Sequence, residues 1–255
     1  MNDQDWLRTG IGAADADSIT LLGRDLAGEL MGRVTFTELS FLLVRGRMPS
    51  PEEARLLDAI LVSLADHGLT PTVLAARLTY TGAPESIQGA IAAGLLGAGS
   101  VFLGVVEDTA RFLESILADG ESRAAVEAAV DREIAAGRRV PGLGHPIHKV
   151  RDPRTPRIYE IAEETGTLGP HLRTLRLVDE VHRARTGLEL PINGAGVAGA
   201  ALADLGFPAA LVRGVALLAR TAGLVGHLGE EMKRPIGMEL YREIDERAEY
   251  DPPGE

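Results

Sequence analysis

The sequence predicts an all-α protein. Apolar residues recur at helical spacing through most of the chain, and alternating strand patterns are scarce. Residues that start and stop helices fall at the ends of the periodic runs. Ser50-Pro51-Glu52-Glu53 supplies an N-cap residue, a first-turn proline and first-turn acids. The run EARLLDAILVSLADHG follows, with Leu56, Ile60 and Leu64 four apart, and Gly68 stops it. Residues 84–98 open with Pro-Glu and continue in small apolar residues. Residues 105–118 place Val105, Thr109, Phe112, Leu113 and Ile116 on one face. Residues 121–136 do the same with Val126, Val130 and Ile134 and end at Gly137; residues 171–186 and 197–205 also read as helices.

The longest apolar region is FPAALVRGVALLARTAGLVGHL, residues 207–228. Arg213, Arg220 and His227 interrupt it at spacings of seven. Seven residues are almost two helical turns, so the three lie near one face. A lipid-spanning helix rarely carries two arginines at such depth. The expectation is a central core helix whose polar stripe faces a site or a partner.

Composition narrows the function. The 255 residues are 45% hydrophobic and 25% charged, an ordinary globular balance. A formal net charge of −11 argues against a general nucleic-acid binder. The chain has no cysteine, which excludes disulfides and thiolate metal sites. The opening MNDQDWLRTG is acidic and polar, unlike a signal peptide, so a cytoplasmic location is the default expectation. The tail ERAEYDPPGE is polar and expected to fray. The Gly/Pro-rich loop 137–156 and the turn ELPINGAG at 189–196 flank a block richer in Glu and Arg. That shift predicts a small helical domain, 105–187, inserted into a large one formed by 1–104 and 188–255.

Against the acidic background, the stretch VPGLGHPIHKVRDPRTPRI at 140–158 gathers His145, His148, Lys149, Arg151, Arg154 and Arg157. Gly142 and Gly144 allow the backbone close to a ligand, and the prolines stiffen the approach. Asp152-Pro153 is a turn-forming pair that starts a new helix at Arg154. An arginine fork matches a carboxylate or phosphate. His145 can donate to an anion or act as acid or base near neutral pH. The plain alternative is a solvated basic loop paired with neighbouring acids. His67, in LADHG, either joins such a site or simply complements a helix C-terminus. Arg220, inside an apolar helix, needs a buried acid or a bound anion. Lys233-Arg234-Pro235 forms a short basic exit. The six histidines show no HExxH or other close helical ligand pairing, so no metal site is expected. Nucleophile-elbow, phosphate-loop and dinucleotide motifs are also missing.

Four segments resemble the citrate synthase superfamily, most like its citryl-CoA lyase branch, which includes the C-terminal module of ATP-citrate lyase. Residues 18–53, SITLLGRDLAGELMGRVTFTELSFLLVRGRMPSPEE, resemble the family's opening. LADHG resembles its Ala-Asp-His motif, and PGLGHPIHKVRDPR its glycine–histidine loop ending in Asp-Pro-Arg. LARTAGLVGHLGEEMKRP resembles its ending. The resemblance covers nearly the whole chain. It implies a citrate-synthase-like helical fold and a pocket in which His67, His145, Arg154 and Arg220 hold oxaloacetate or a citryl group. It implies that Arg234 reaches the site of another subunit, hence a homodimer or higher homo-oligomer. Gly142, Leu143 and Gly144 then shape a CoA site, with Lys149, Arg151 and Lys233 as candidates for the CoA phosphates. A polycarboxylate and an acyl-CoA are the implied partners, with no nucleic acid and no membrane. The CoA thioester is a substrate, and no permanently bound cofactor is implied.

Two departures stand out. Phe102, in GAGSVFLGVVED, replaces a histidine of citrate synthases and is a feature shared with the lyase branch. In LPINGAGVAG, Ala195 occupies the place of the aspartate that moves the proton on the acetyl-CoA methyl carbon. Glu107, Asp108 and Asp204 are acids that could substitute. The implied reaction is retro-aldol cleavage of citryl-CoA to acetyl-CoA and oxaloacetate, with His145 as base toward the 3-hydroxyl. Condensation of acetyl-CoA with oxaloacetate or another 2-oxo acid is one alternative. A non-catalytic binder of polycarboxylate or acyl-CoA, motivated by Ala195, is the other.

Overall fold

A computed structural model of the protein describes residues 8–252. The expectations for the first residues of MNDQDWLRTG, 1–7, and for the last of the tail, 253–255, lie outside the described residues. The fold is helical, as the periodicity predicts. It opens with a small antiparallel meander that the sequence pattern did not reveal: β1 (Gly12–Ala14), β2 (Ile19–Leu21) and β3 (Arg24–Asp25). A π-helical turn, Leu26–Leu30, follows, and Asp25 caps it.

Eleven α-helices then make up the described chain. Helices α1 (Phe36–Arg45) and α2 (Pro51–Ala65) both start with capping boxes, Thr35 with Glu38 and Ser50 with Glu53. Each pair satisfies two backbone N–H groups that the first turn leaves free. Helices α3 (Pro71–Gly82) and α4 (Ile87–Leu96) pack as a pair. Next come α5 (Val105–Ala118), α6 (Arg123–Ala135), α7 (Arg154–Glu164) and α8 (Pro170–Thr186). The chain closes with α9 (Gly194–Asp204), α10 (Ala209–Glu231) and α11 (Gly237–Arg247).

The centre is α9, whose sequence GAGVAGAALAD is almost all small residues. Small side chains let neighbouring helices approach closely, and α9 packs against α2, α5, α7, α8 and α10. The main core runs around it through Phe41, Leu56, Ile60, Leu113, Leu172, Leu202 and Val212. Each such large apolar side chain contributes about 1.5–3 kcal/mol when fully buried.

Helix α10 is long and apolar enough to cross a membrane by length and composition. It instead lies against α2, α3, α4, α5 and α9. Its seven-residue polar stripe faces protein. Arg213 pairs with Glu107 of α5 at 3.0 Å, His227 pairs with Asp66 at 2.8 Å, and Arg220 lies buried between them. Gly223 fixes this crossing. A Cβ there would lie 2.0 Å from the Ala65 carbonyl oxygen, so only glycine lets α10 reach the end of α2. That contact brings Arg220 to the segment carrying His67.

Candidate active site

Three segments meet at one place: the end of α2, the 140–154 loop, and the start of α9. Helix α2 stops at Ala65, and Asp66 takes an extended conformation. The Asp66 carboxylate accepts from the Gly68 N–H at 2.9 Å and bonds His227 at 2.8 Å. This holds the turn that carries His67. Across the site, Gly142 and Gly144 adopt left-handed conformations, φ +86° and +78°. Between them, Leu143 forms an antiparallel bridge with Ile192 and is buried. Gly144 donates its N–H to the Pro191 carbonyl, and Asn193 donates both its N–H to Gly142 and its side-chain amide to Gly144. The backbone of the loop is thereby zipped to residues 191–193, which delivers His145 next to the start of α9.

The histidines form a cluster. The His67 and His148 Nε2 atoms are 3.1 Å apart, a hydrogen bond between two imidazoles. Ring centroids lie 5.1 Å apart for His67–His145 and 4.5 Å for His145–His148. His145 Nδ1 accepts two backbone N–H bonds, from Ile147 at 3.1 Å and His148 at 3.0 Å. An acceptor Nδ1 puts the neutral ring's proton on Nε2. Burial, then the neighbouring His148, pushes the His145 pKa down to about 4, so the ring is neutral at pH 7 and presents Nε2–H as a donor. His67 is also lowered, by burial first and then by Arg154 and His148.

Arg154, partly buried, pairs with the fully buried Asp152. The Asp152 carboxylate accepts from Arg154 Nε at 2.9 Å and Nη2 at 2.7 Å, and from the backbone N–H groups of Arg154 and Gly194. Burial opposes its ionisation, but the Arg154 bonds and the Gly194 N–H outweigh that and bring its pKa to about 2. The guanidinium crosses directly over Gly194, where a Cβ would lie 2.2 Å from Arg154 Nε. Any side chain at 194 would displace it.

Arg220 is the opposite case. It is 5% exposed, and its Nε and Nη1 have no hydrogen-bond partner. Burial lowers its pKa; Asp66 opposes that shift and Arg154 adds to it. A buried guanidinium with idle donors beside a second guanidinium is built for an anion. The three histidines can each offer a ligand atom within 4.8 Å of the others, a grouping the sequence spacing does not show. The His145 tautomer and the two flanking guanidinium groups favour an anion there over a cation.

The fold therefore brings His67, His145, Arg154 and Arg220 together. Lys149 sits at the rim, its ammonium donating to the His145 carbonyl at 3.2 Å. Phe102 lies partly exposed on the turn between α4 and α5. Lys233 and Arg234 lie elsewhere, past the end of α10 in a shallow cleft with Gly226, Gly229 and Met232. Arg220 is eleven residues before that helix end, about 16 Å along its axis. Two of the acids read as substitutes for the missing aspartate are committed elsewhere. Asp204 caps α8 through the His171 and Leu172 N–H groups, and Glu107 pairs with Arg111 and Arg213. Sequence reasoning gathered His148 into the basic loop without giving it a role, and it missed the central role of Asp152 and the need for glycine at 194. The H-x-x-H spacing of 145 and 148 was the available signal.

Residues 25–243 match the family model described as citrate synthase, C-terminal domain. The chain belongs to the citrate synthase family. It is 31% identical to the citryl-CoA lyase from Hydrogenobacter thermophilus, whose structure superposes with a TM-score of 0.88 over 97% of this chain and 96% of that one. Among curated family members, it is 30% identical over 201 residues to the citrate synthase of Acidithiobacillus ferridurans, covering 74% of this chain and 50% of that protein. It is 28% identical over 226 residues to the citrate synthase-like protein oryE of Aspergillus oryzae, covering 84% of this chain and 49% of that protein. The chain thus spans about half the length of these curated relatives. The ATP citrate lyase of Methanothrix soehngenii, solved with citrate and coenzyme A, shares the fold at 22% identity, with a TM-score of 0.80 over 97% of this chain and 42% of that one.

Proposed function

We propose that this member of the citrate synthase family is a citryl-CoA lyase-like enzyme. It cleaves citryl-CoA, or a related acyl-CoA, to acetyl-CoA and oxaloacetate by retro-aldol C–C cleavage. The observation that carries this is Arg220, a buried guanidinium with two unpartnered N–H groups beside Arg154 and the histidine cluster. Citrate-type substrates bring several carboxylates, and such forks bind them with charge-assisted bonds. The likeness to a citryl-CoA lyase, 31% identical with a TM-score of 0.88, supports the cleavage direction.

In this reading Arg154 and Arg220 hold the dicarboxylate end, with His67 beside them. His145 is not the base toward the 3-hydroxyl. Its Nδ1 is occupied by two backbone N–H groups, so its Nε2–H donates to the oxygen that becomes the oxaloacetate ketone. Gly142, Leu143, Gly144 and Lys149 line the approach for CoA. Lys233 and Arg234 serve a neighbouring copy in a homodimer, which accounts for their distance from the cluster. The division into a large domain (1–104 and 188–255) and a small one (105–187) puts the site at their junction, where closure would exclude water.

Condensation uses the same groups in reverse. A second reading is favoured by one residue: Ala195 cannot move a proton, so the pocket would bind oxaloacetate or CoA without turnover. Mass-spectrometric product analysis separates these. The protein is mixed with citryl-CoA, and separately with acetyl-CoA plus oxaloacetate. Formation of acetyl-CoA from citryl-CoA above a His145→Ala control is the expected result. No turnover in either direction, together with thermal stabilisation by oxaloacetate, would establish the binder instead.

A further inference from the structure

The lyase reading leaves one chemical task unassigned. Cleavage removes a proton from the 3-hydroxyl and adds one to the α-carbon of the acetyl-CoA enolate. The count is neutral, so a single group or connected pair can take the first and return the second. Ala195 cannot do it. Asp152 is fully buried, with its oxygens engaged by Arg154 and the Gly194 N–H. Asp204 and Glu107 are committed to other partners. His145 accepts at Nδ1 and is fixed as a donor at Nε2.

Of the three clustered histidines, that leaves His67 and His148. Their Nε2 atoms share one proton across 3.1 Å. The ring that holds this proton on Nε2 has, when neutral, a bare lone pair on Nδ1. Its partner, accepting at Nε2, carries N–H on Nδ1. The pair is therefore a base at one outer nitrogen and an acid at the other. The side-chain hydrogen bond that each ring makes among the described residues is at Nε2, and both rings are only partly buried. His67 comes from the end of α2 and His148 from the 140–154 loop, so the pair bridges two walls of the site.

We propose that the His67–His148 pair is a proton relay that replaces the carboxylate missing at Ala195. One Nδ1 takes the 3-hydroxyl proton as the C–C bond breaks, and its electron pair passes into the thioester enolate. The shared proton shifts across the Nε2···Nε2 bond. The second Nδ1 gives its proton to the α-carbon, making the acetyl methyl group. The pair ends with its protons reversed, and exchange with solvent resets it. The charged and titratable groups around it are Arg154, Arg220, Asp152 and His145. The two guanidinium groups help keep His67 neutral, which the lone pair requires.

The inference rests on the lyase reading, and the experiment separates the two. Citryl-CoA cleavage is measured for the full chain, for His148→Ala and for His148→Gln, with and without added imidazole. Thermal stabilisation by oxaloacetate is measured in parallel. The expected result is a loss of about 10²–10⁴-fold in both variants. Oxaloacetate should still stabilise both, and imidazole should restore cleavage in His148→Ala. Full activity in His148→Ala overturns the relay and leaves the lyase reading standing. So does restoration by glutamine, which keeps a hydrogen bond but moves no proton, and so does a loss that imidazole cannot repair. No cleavage by the unmodified protein overturns the lyase reading, and the relay with it.

Discussion

The two walls of the site are built on opposite electrostatic plans. On the wall made by the 140–154 loop and the start of α9, the groups around Asp152 and Asn193 are paired. Asp152 takes four hydrogen bonds, Arg154 is held bidentately, and Asn193 caps α9 while gripping Gly144. On the wall made by α2 and α10, Arg220 is buried with two idle donors. The first wall is satisfied by the protein's own groups; the second keeps donors that, in the proposed reading, a ligand takes. The difference lies in what each arginine has left to offer: Arg154 commits Nε and Nη2 to Asp152, whereas Arg220 keeps two donors free, although the two lie close enough to repel.

Breaking the finished wall should have the largest effect on folding. Asp152→Asn leaves the Arg154 charge without its partner, and losing one member of a buried pair costs about 3–5 kcal/mol. Chemical denaturation at pH 7 should show that loss. The pH dependence has a definite sign. The Asp152 pKa is depressed in the folded state, so its contribution is present above the ordinary carboxyl range. It fades as pH falls toward about 2, and the gap between the two proteins should close with it. A gap that stays constant down to acid would mean the charge on Asp152 contributes nothing.

The open wall should respond in the reverse way. Arg220→Met removes a buried charge with unsatisfied donors, so the free protein should melt at a higher temperature. Oxaloacetate binding should weaken by the worth of one or two charge-assisted bonds, about 1.5–3 kcal/mol each. Titration calorimetry would show this as a drop of at least tenfold in affinity. A protein that is both less stable and unaltered in affinity would place Arg220 in a structural ion pair.

The same contrast explains what was legible in the sequence. Amphipathic periodicity located α5 at its observed ends and α8 within a residue, because their buried faces are apolar and regularly spaced. Helices α3 and α11 went unread. Helix α3 buries Thr72 and Arg77 along with its apolar residues, and α11 buries little beyond Gly237. His67, His145, Arg154 and Arg220 could be picked out because each sits in a recognisable motif. His148 and Asp152 were visible in the same motif, but their roles were not. The loop that carries them has no period, and what makes them important is the chain folded against it: His67 from α2 and the Gly194 N–H from α9. Asp152 in particular reads as a turn former, yet it is a buried hub of the finished wall.

The smallest expected effect sharpens the comparison furthest. Ala195 is the second residue of α9, after the Asn193 cap, on the finished wall. An acid there faces the positive end of the helix, worth about 0.3–1 kcal/mol. Ala195→Asp should therefore raise stability slightly, less any repulsion from Asp152. Its kinetic effect depends on what the histidine pair already supplies. With the His67–His148 pair intact, a restored carboxylate adds a second route for a proton that already has one, and the rate should rise by less than about tenfold. In a His148→Ala background the same substitution should recover most of the lost rate, while Ala195→Asn should recover none. That non-additivity is the signature of two groups doing one task, since independent contributions would simply add. It would also explain how an alanine came to be tolerated at 195.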